Sequence, residues 1–356
     1  MDPVTHLAAG VALSQLVPGP SRVWAAAAGV FFAVLPDLDY VLALHDRLSY
    51  LRHHRGFSHS LVALPLFALA GALLARWVGG PRWFRPVLLI GLLVLASHLF
   101  LDLATSYGTQ ILSPFTRTKY TLDWLFIIDP YLTGLLLVAA VALWWPARGR
   151  SVGLICLALA AGYIVVCGFY HQRAVGLARQ IYHNLNPQAT VAALPQPFSP
   201  RRWHLLAATP GEAFQTFVTL PLWPFGTAPP PPPVVPVKAS SVGTLAAPVA
   251  SYEPPGNLTI HRWQAAFTPP ATLSREARRL LEVYQEFARF PLPVANRGDE
   301  NSIRDLFWVD LRFSLPGRHF PFMLYLRLDP RGGLRSWSLG AGQPQPPSVP
   351  SQDVLK

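Results

Sequence analysis

Aspartate and histidine recur at short spacings in the first half of this 356-residue chain: Asp2-x₃-His6, Leu35-Pro36-Asp37-Leu38-Asp39, His54-x₄-His59 and His98-x₃-Asp102. Asp123 and Asp129 flank a further apolar run, Trp124 to Ile128. Carboxylate oxygens and neutral imidazole nitrogens are the usual donors to catalytic divalent cations. The first 172 residues hold seven acidic side chains, all Asp and none Glu. A soluble helical protein scatters Glu and Lys over its wet faces. Here the ionisable groups stand between long apolar segments, where they are costly and usually mark a site.

Each group also has a plainer reading. Arg52-His53-His54-Arg55-Gly56-Phe57-Ser58-His59 makes His54 and His59 candidate metal ligands, with His53 or Arg55 touching an anion. It also suits a basic loop at a lipid interface. His98 and Asp102, four apart on an apolar helix, project from one face. They are candidate ligands or a hydrogen-bonded pair joining two helices. A bare Asp102 at midspan would cost about 2.5–3.5 kcal/mol. Asp37 and Asp39 lie beside a helix break; two anions so close call for a cation, although Asp37 also fits a cap. His6 is a candidate ligand, while Asp2 before Pro3 reads as a helix start. Asp39 or Asp123 is the candidate general base, and Asp129-Pro130 fits a helix cap. Together the donors exceed the needs of one structural metal. They suit a hydrolytic centre with one or two divalent ions, zinc first among them, which would activate water against an ester or phosphoester. No nucleotide-binding glycine motif or serine-hydrolase elbow occurs.

The elements that must position these groups are apolar runs near 4–17, 24–44, 61–78, 87–105, 124–146 and 151–170. The last four approach the ~20 residues that cross a bilayer. Arg22, the Arg76–Arg82–Arg85 cluster and Arg148–Arg150 lie in three loops, which the positive-inside rule places in the cytoplasm. All the Asp/His motifs then fall toward the opposite, non-cytoplasmic face. The expected fold is mainly α: a polytopic transmembrane helical bundle over residues 1–172, an amphipathic connector over 173–194, and an extramembrane α+β domain over 195–356. In that last domain residues 258–268, 306–313 and 320–328 read as strands, and 273–290 as a helix. The proline-rich stretch 229–236 reads as a stiff spacer or exposed loop.

Mean hydropathy is +0.31 and only 13% of residues are charged, as in a membrane protein. The net charge of +11 forms no dense basic run, which argues against nucleic-acid binding. Cys156 and Cys167, eleven residues apart on one expected helix, are about 16 Å apart and too distant for a disulfide.

In order and spacing, the Asp2-Pro3-x-Thr5-His6, Leu35-Pro36-Asp37-Leu38-Asp39, His54-Arg55-Gly56-x-Ser58-His59-Ser60, His98-x₃-Asp102, Tyr107-Gly108-Thr109-Gln110 and Asp123-to-Asp129-Pro130 strings resemble those of the membrane-bound metal-dependent hydrolases, also described as LexA-binding, inner-membrane-associated hydrolases. The resemblance covers about residues 1–185. It implies a bacterial multi-pass inner-membrane protein with metal-dependent hydrolase activity. It carries His6, Asp37, Asp39, His54, His59, His98 and Asp102 over as the motif positions. Partners on this reading are the lipid bilayer and a small or lipid-linked anionic substrate. The alternatives are a non-enzymatic membrane scaffold and a metal or proton transporter built on the same Asp/His cluster.

Overall fold

Proline and aspartate set where the N-terminal helices begin. The structure is a computed structural model that describes residues 1–41, 47–145, 148–223, 231–237, 251–298 and 303–340. Helix α1 (Pro3–Ser14) starts behind Asp2, whose side chain accepts the Thr5 N–H at 3.1 Å. Helix α2 (Arg22–Val34) ends at Pro36, which opens a 3₁₀ turn over Pro36–Tyr40. There follow α3 (Arg47–His53), a 3₁₀ turn (Phe57–His59), α4 (Ala63–Gly79), a 3₁₀ turn (Pro81–Trp83) and α5 (Phe84–Leu103). Helices α6 (Pro130–Ala142) and α7 (Arg148–His183) complete the set.

The chain divides into two units. The first holds Met1–His45, His53–His171 and Pro197–Pro200; the second holds Asp46–Arg52, Gln172–Gln196 and Arg201–Lys356. The stretch 173–194, expected to be a connector, supplies the last turns of α7 and the first strand to the second unit.

In the first unit α1 and α2 touch through glycine. A Cβ on Gly10 would lie 2.6 Å from the Gly29 carbonyl oxygen, and one on Gly29 2.3 Å from that of Gly10. Small residues are what allow helices to approach so closely. Phe32 then reaches from α2 into a core of Ala68, Ala72, Ile90 and Val94 on α4 and α5. A second cluster joins α1, α6 and α7 through Ala8, Leu132, Leu136 and Ala160.

Two helical stretches, Pro81–Leu103 and Gly149–His183, are long and apolar enough to cross a membrane. The pair Leu48–His59 and Ala63–Gly79 would be a third span, bent by 68°. On α7, Leu154, Ile155, Leu159, Val165 and Phe169 are all exposed. A face this large and apolar on a soluble protein would be an aggregation liability; lipid covers it at no cost. The run 124–146, expected to be a full span, is shorter. Asp129 must stay extended before Pro130 (φ −111°, ψ 102°), so the helix cannot reach back to Trp124.

The second unit is a two-sheet α+β structure. Strands β1 (Thr190–Pro195), β2 (Arg202–Thr209), β3 (Glu212–Thr219), β4 (Val234–Pro236) and β5 (Ile260–Gln264) form one sheet in the order β1-β2-β3-β5-β4. Helix α8 (Arg275–Phe287) precedes β6 (Pro291–Arg297), β7 (Arg304–Asp310), β8 (Leu324–Leu328) and β9 (Leu334–Leu339), an antiparallel meander. Leu194, Leu206, Trp263, Leu292, Val309 and Phe320 share a core between the sheets. The proline-rich stretch is not all spacer. Residues 229–230 lie outside the described residues, but Val234–Pro236 adds a parallel edge strand to β5. Proline is tolerated there because an edge strand has one unpaired side.

Candidate metal centre

Two breaks between helices and one helix face bring the Asp/His motifs together. The 3₁₀ turn at Pro36 presents Asp37 and Asp39 in different directions. The turn Phe57–His59 presents His59, reached through Arg55 at φ +57° and Gly56, where a Cβ would sit 2.6 Å from the His53 carbonyl oxygen. Helix α5 presents His98 and Asp102 one turn apart.

Asp37, His59, His98 and Asp102 each offer one donor atom, and these four atoms lie within 4.8 Å of one another. His59 Nε2 is 3.3 Å from Asp37 Oδ1 and 3.2 Å from Asp102 Oδ2. His98 Nε2 is 3.7 Å from Asp37 Oδ1 and 3.5 Å from Asp102 Oδ2. The two Nε2 atoms are 3.2 Å apart. Four N and O donors around a tetrahedral zinc, each about 2.0–2.2 Å from it, would be roughly 3.3–3.6 Å from one another.

The other ring nitrogens decide which way the Nε2 lone pairs face. His98 Nδ1 is 3.0 Å from the Ala33 carbonyl oxygen, which can only accept, so Nδ1 carries the proton. Ser58 Oγ donates to Asp39 Oδ2 at 3.2 Å and lies 3.0 Å from His59 Nδ1, so it accepts the Nδ1–H. As neutral imidazoles both rings therefore turn a lone pair inward. Asp102 Oδ2, buried between them, has no hydrogen-bond partner. Inward lone pairs, a second carboxylate and an orphaned buried oxygen fit a divalent cation, and the cluster could hold one.

Around these four lies a second layer. Asp39 Oδ1 accepts from His54 Nδ1 at 2.9 Å, and Asp39 Oδ2 accepts the Arg55 N–H at 3.0 Å and sits 3.5 Å from His59 Nδ1. Such carboxylate–histidine pairs orient a ligand ring and raise its basicity. Asp102 Oδ1 faces Arg55 Nη2 at 2.8 Å, His6 Nε2 at 3.2 Å and the amino group of Met1. The His6 ring stacks on His98, with centroids 3.7 Å apart. Arg55 also donates to Thr105 Oγ1 at 2.9 Å and lies over the Tyr107 ring.

Of the expected ligands, the four-atom group contains Asp37, His59, His98 and Asp102. His6, His54 and Asp39 stand one layer out. Arg55, expected to touch an anion, is buried with its guanidinium directed at Asp102. His53 ends α3, and its carbonyl accepts the Gly56 N–H at 2.8 Å. Asp123 is buried at φ +56°, on a strand-like segment in which Leu122 and Trp124 donate to the Leu103 and Ala104 carbonyls. Asp129 caps α6 and accepts from Tyr163 Oη at 2.7 Å. Ser58 belongs to the His-rich motif and Thr105 to the hydroxyl-bearing loop 105–110; the Ala33 carbonyl is the contributor no sequence motif marks. A hydroxyl inside a His-rich string is a usable signal; a backbone carbonyl on another helix has none.

Residues 1–174 match the family model described as YdjM inner membrane protein. The chain is also similar to the Bacillus subtilis (strain 168) protein described as uncharacterized protein YfhP. The two are 29% identical over 225 residues, covering 60% of this chain and 67% of the relative. No solved structure matches. The matched family is one of inner-membrane proteins, in keeping with the two candidate spans. Its description names a location and no reaction.

Proposed function

We propose that this chain is a multi-pass bacterial inner-membrane hydrolase that depends on a divalent cation, zinc by its donor set, held by Asp37, His59, His98 and Asp102. The observation that carries this reading is the inward lone-pair pair: two imidazole Nε2 atoms 3.2 Å apart, flanked by two carboxylate oxygens. When bound, a divalent cation polarises a phosphoryl or carbonyl oxygen and lowers the pKa of its water. The chain's own groups prepare that site. Asp39 with Ser58 fixes the His59 ring, and the Ala33 carbonyl fixes His98. Arg55 and His6 hold Asp102 Oδ1, which keeps Oδ2 turned toward the histidines. Asp39 is committed to His54, Ser58 and the Arg55 N–H, which leaves Asp123 as the other candidate base. The substrate class is an ester or phosphoester, lipid-linked or small and anionic.

Helix polarity supports the non-cytoplasmic placement. Helix α2 begins at Arg22 and ends beside Asp37. Helix α4 begins after His59 and has Arg76 in its last turn; α5 begins after Arg82 and ends at Asp102 and Leu103. The basic ends and the Asp/His ends of all three helices are opposite, as the positive-inside rule requires. By the same rule, Arg148 and Arg150 at the start of α7 send the C-terminal unit to the outer side.

The test is metal analysis of the purified full chain, wild type beside His59→Ala and Asp102→Ala, followed by a chelator-sensitive panel of phosphomonoesters, phosphodiesters and carboxylic esters. The wild type should hold a stoichiometric divalent metal and both variants should lose nearly all of it. Undiminished metal in both variants would defeat the ligand assignment. Full metal with no hydrolysis of any ester would turn the cluster into a structural or transport site.

A further inference from the structure

Away from the Asp/His cluster, α2, α4 and the connection before α5 enclose an open apolar groove of about 510 Å³. Its walls are Trp24 and Phe31 on one side and Leu74, Val78 and Trp83 on the other, with Arg82 at one end. It is closed at the other end by Phe32, whose ring would be 2.5 Å from a Cβ on Gly71. From Trp24 to Phe31 is seven residues, or about 10 Å of helix. That is most of one leaflet of a hydrocarbon core about 30 Å thick.

We propose that this groove seats one acyl chain of an anionic phospholipid, with the lipid phosphate on Arg82. Three observations choose this occupant. The groove is apolar along its length and basic at one end only. Arg76, Arg82 and Arg85 are exposed, and no carboxylate among the described residues pairs with them. The sequence has no Asp or Glu between residues 47 and 101, so nothing local neutralises them. Trp24 and Trp83, edge to face at 5.9 Å, flank the same end, where indoles favour the headgroup level. A second copy of the chain would bring Arg82 against Arg82. The proposal is independent of the hydrolase reading.

The probe is a phosphatidylglycerol carrying a diazirine on its acyl chain, compared with the matching phosphatidylcholine, in nanodiscs holding the full chain. Labelled peptides are located by mass spectrometry. Phosphatidylglycerol should label the 22–34 and 71–87 segments roughly fivefold more than phosphatidylcholine, the ratio one interfacial cation supplies. Arg82→Gln should remove that ratio and leave chain labelling in place. Ala27→Phe, on the exposed side of α2, should suppress groove labelling for both lipids while labelling of Leu154–Leu159 on α7 persists. Leu74→Trp fills the opposite wall and guards against a folding defect in the first variant. Equal labelling by the two lipids in the wild type overturns the headgroup assignment. Groove labelling that survives both filling variants overturns the seat itself.

Discussion

Each unit of this protein buries a carboxylate against a guanidinium, and the two pairs are built differently. In the C-terminal unit Asp310 accepts from Arg312 Nη2 at 2.9 Å and Nε at 3.1 Å. It also accepts backbone N–H groups of Arg289, Phe290 and Arg312 at 3.0–3.3 Å. The Arg312 guanidinium lies against the Phe287 and Phe313 rings and donates to the Phe287 carbonyl. Both carboxylate oxygens are satisfied. In the N-terminal unit Arg55 meets Asp102 at 2.8 Å, equally buried, yet only Oδ1 is satisfied while Oδ2 faces two inward lone pairs. The first arrangement is complete as it stands. The second leaves one carboxylate oxygen to a cluster that could hold a cation. A saturated buried pair is complete as a structural element; a half-saturated one, ringed by further acceptors, has capacity to take a cation.

The strongest way to break this contrast is Asp310→Ala. It should leave the buried Arg312 charge without its carboxylate and cost about 3–5 kcal/mol of stability. Denaturant unfolding of the full chain reads that loss, and bound metal should stay at the wild-type level. Metal lost in step with stability would mean that the two pairs are not separate in kind.

A smaller effect sharpens the other side. Asp39→Asn should weaken metal binding by roughly 10–100-fold, the usual effect of losing an outer-layer carboxylate. Competition with a chromophoric chelator measures it. An unchanged affinity would reduce Asp39 to a backbone cap for Arg55.

The last comparison concerns a buried imidazole, and its size depends on pH. His204 in β2 is buried, stacks on Phe217 at 4.5 Å and lies 3.2 Å from Gln215 Oε1. Burial pushes its pKa down to about 3. The folded value lies below the unfolded one, near 6.5, so only the unfolded chain gains the proton between these pH values. This site therefore costs nothing above pH 6.5. As pH falls toward 3 it should lower stability by up to ~1.4 kcal/mol per pH unit. His204→Gln should flatten that slope in urea titrations run from pH 7 to 4. The same slope in the variant would assign the acid sensitivity to other groups.

How much was legible follows the burial pattern strand by strand. Strand β8 alternates buried and open positions throughout and β7 over its first half, while β5 buries Ile260 and Trp263; the sequence shows all three. Strands β2 and β3 are buried on both faces over most of their length, so their residues do not alternate; they went unread along with β1. The proline interruptions at 195, 197 and 200 further hid the hairpin. Helix starts at Pro3 and Pro130 were visible because proline and its aspartate cap act locally. The shortness of α6 follows from the same Pro130, although the apolar run continues across it.

At the site, the sequence alone determined which residue types were present, that His98 and Asp102 share a helix face, and that carboxylates flank a break at Pro36. These depend on bonds and dihedrals within a few residues. It did not determine that Asp37 joins the inner four while Asp39 serves the layer behind. That choice depends on where a 3₁₀ turn, at three residues per turn, points each side chain against helices distant in sequence. Nor did it determine the fate of Arg55, which takes a left-handed backbone just before Gly56 and meets Asp102 with its guanidinium. Only the folded chain assigns those partners, since hydrogen-bond geometry between α2, α5 and the two turns exists nowhere in the linear order.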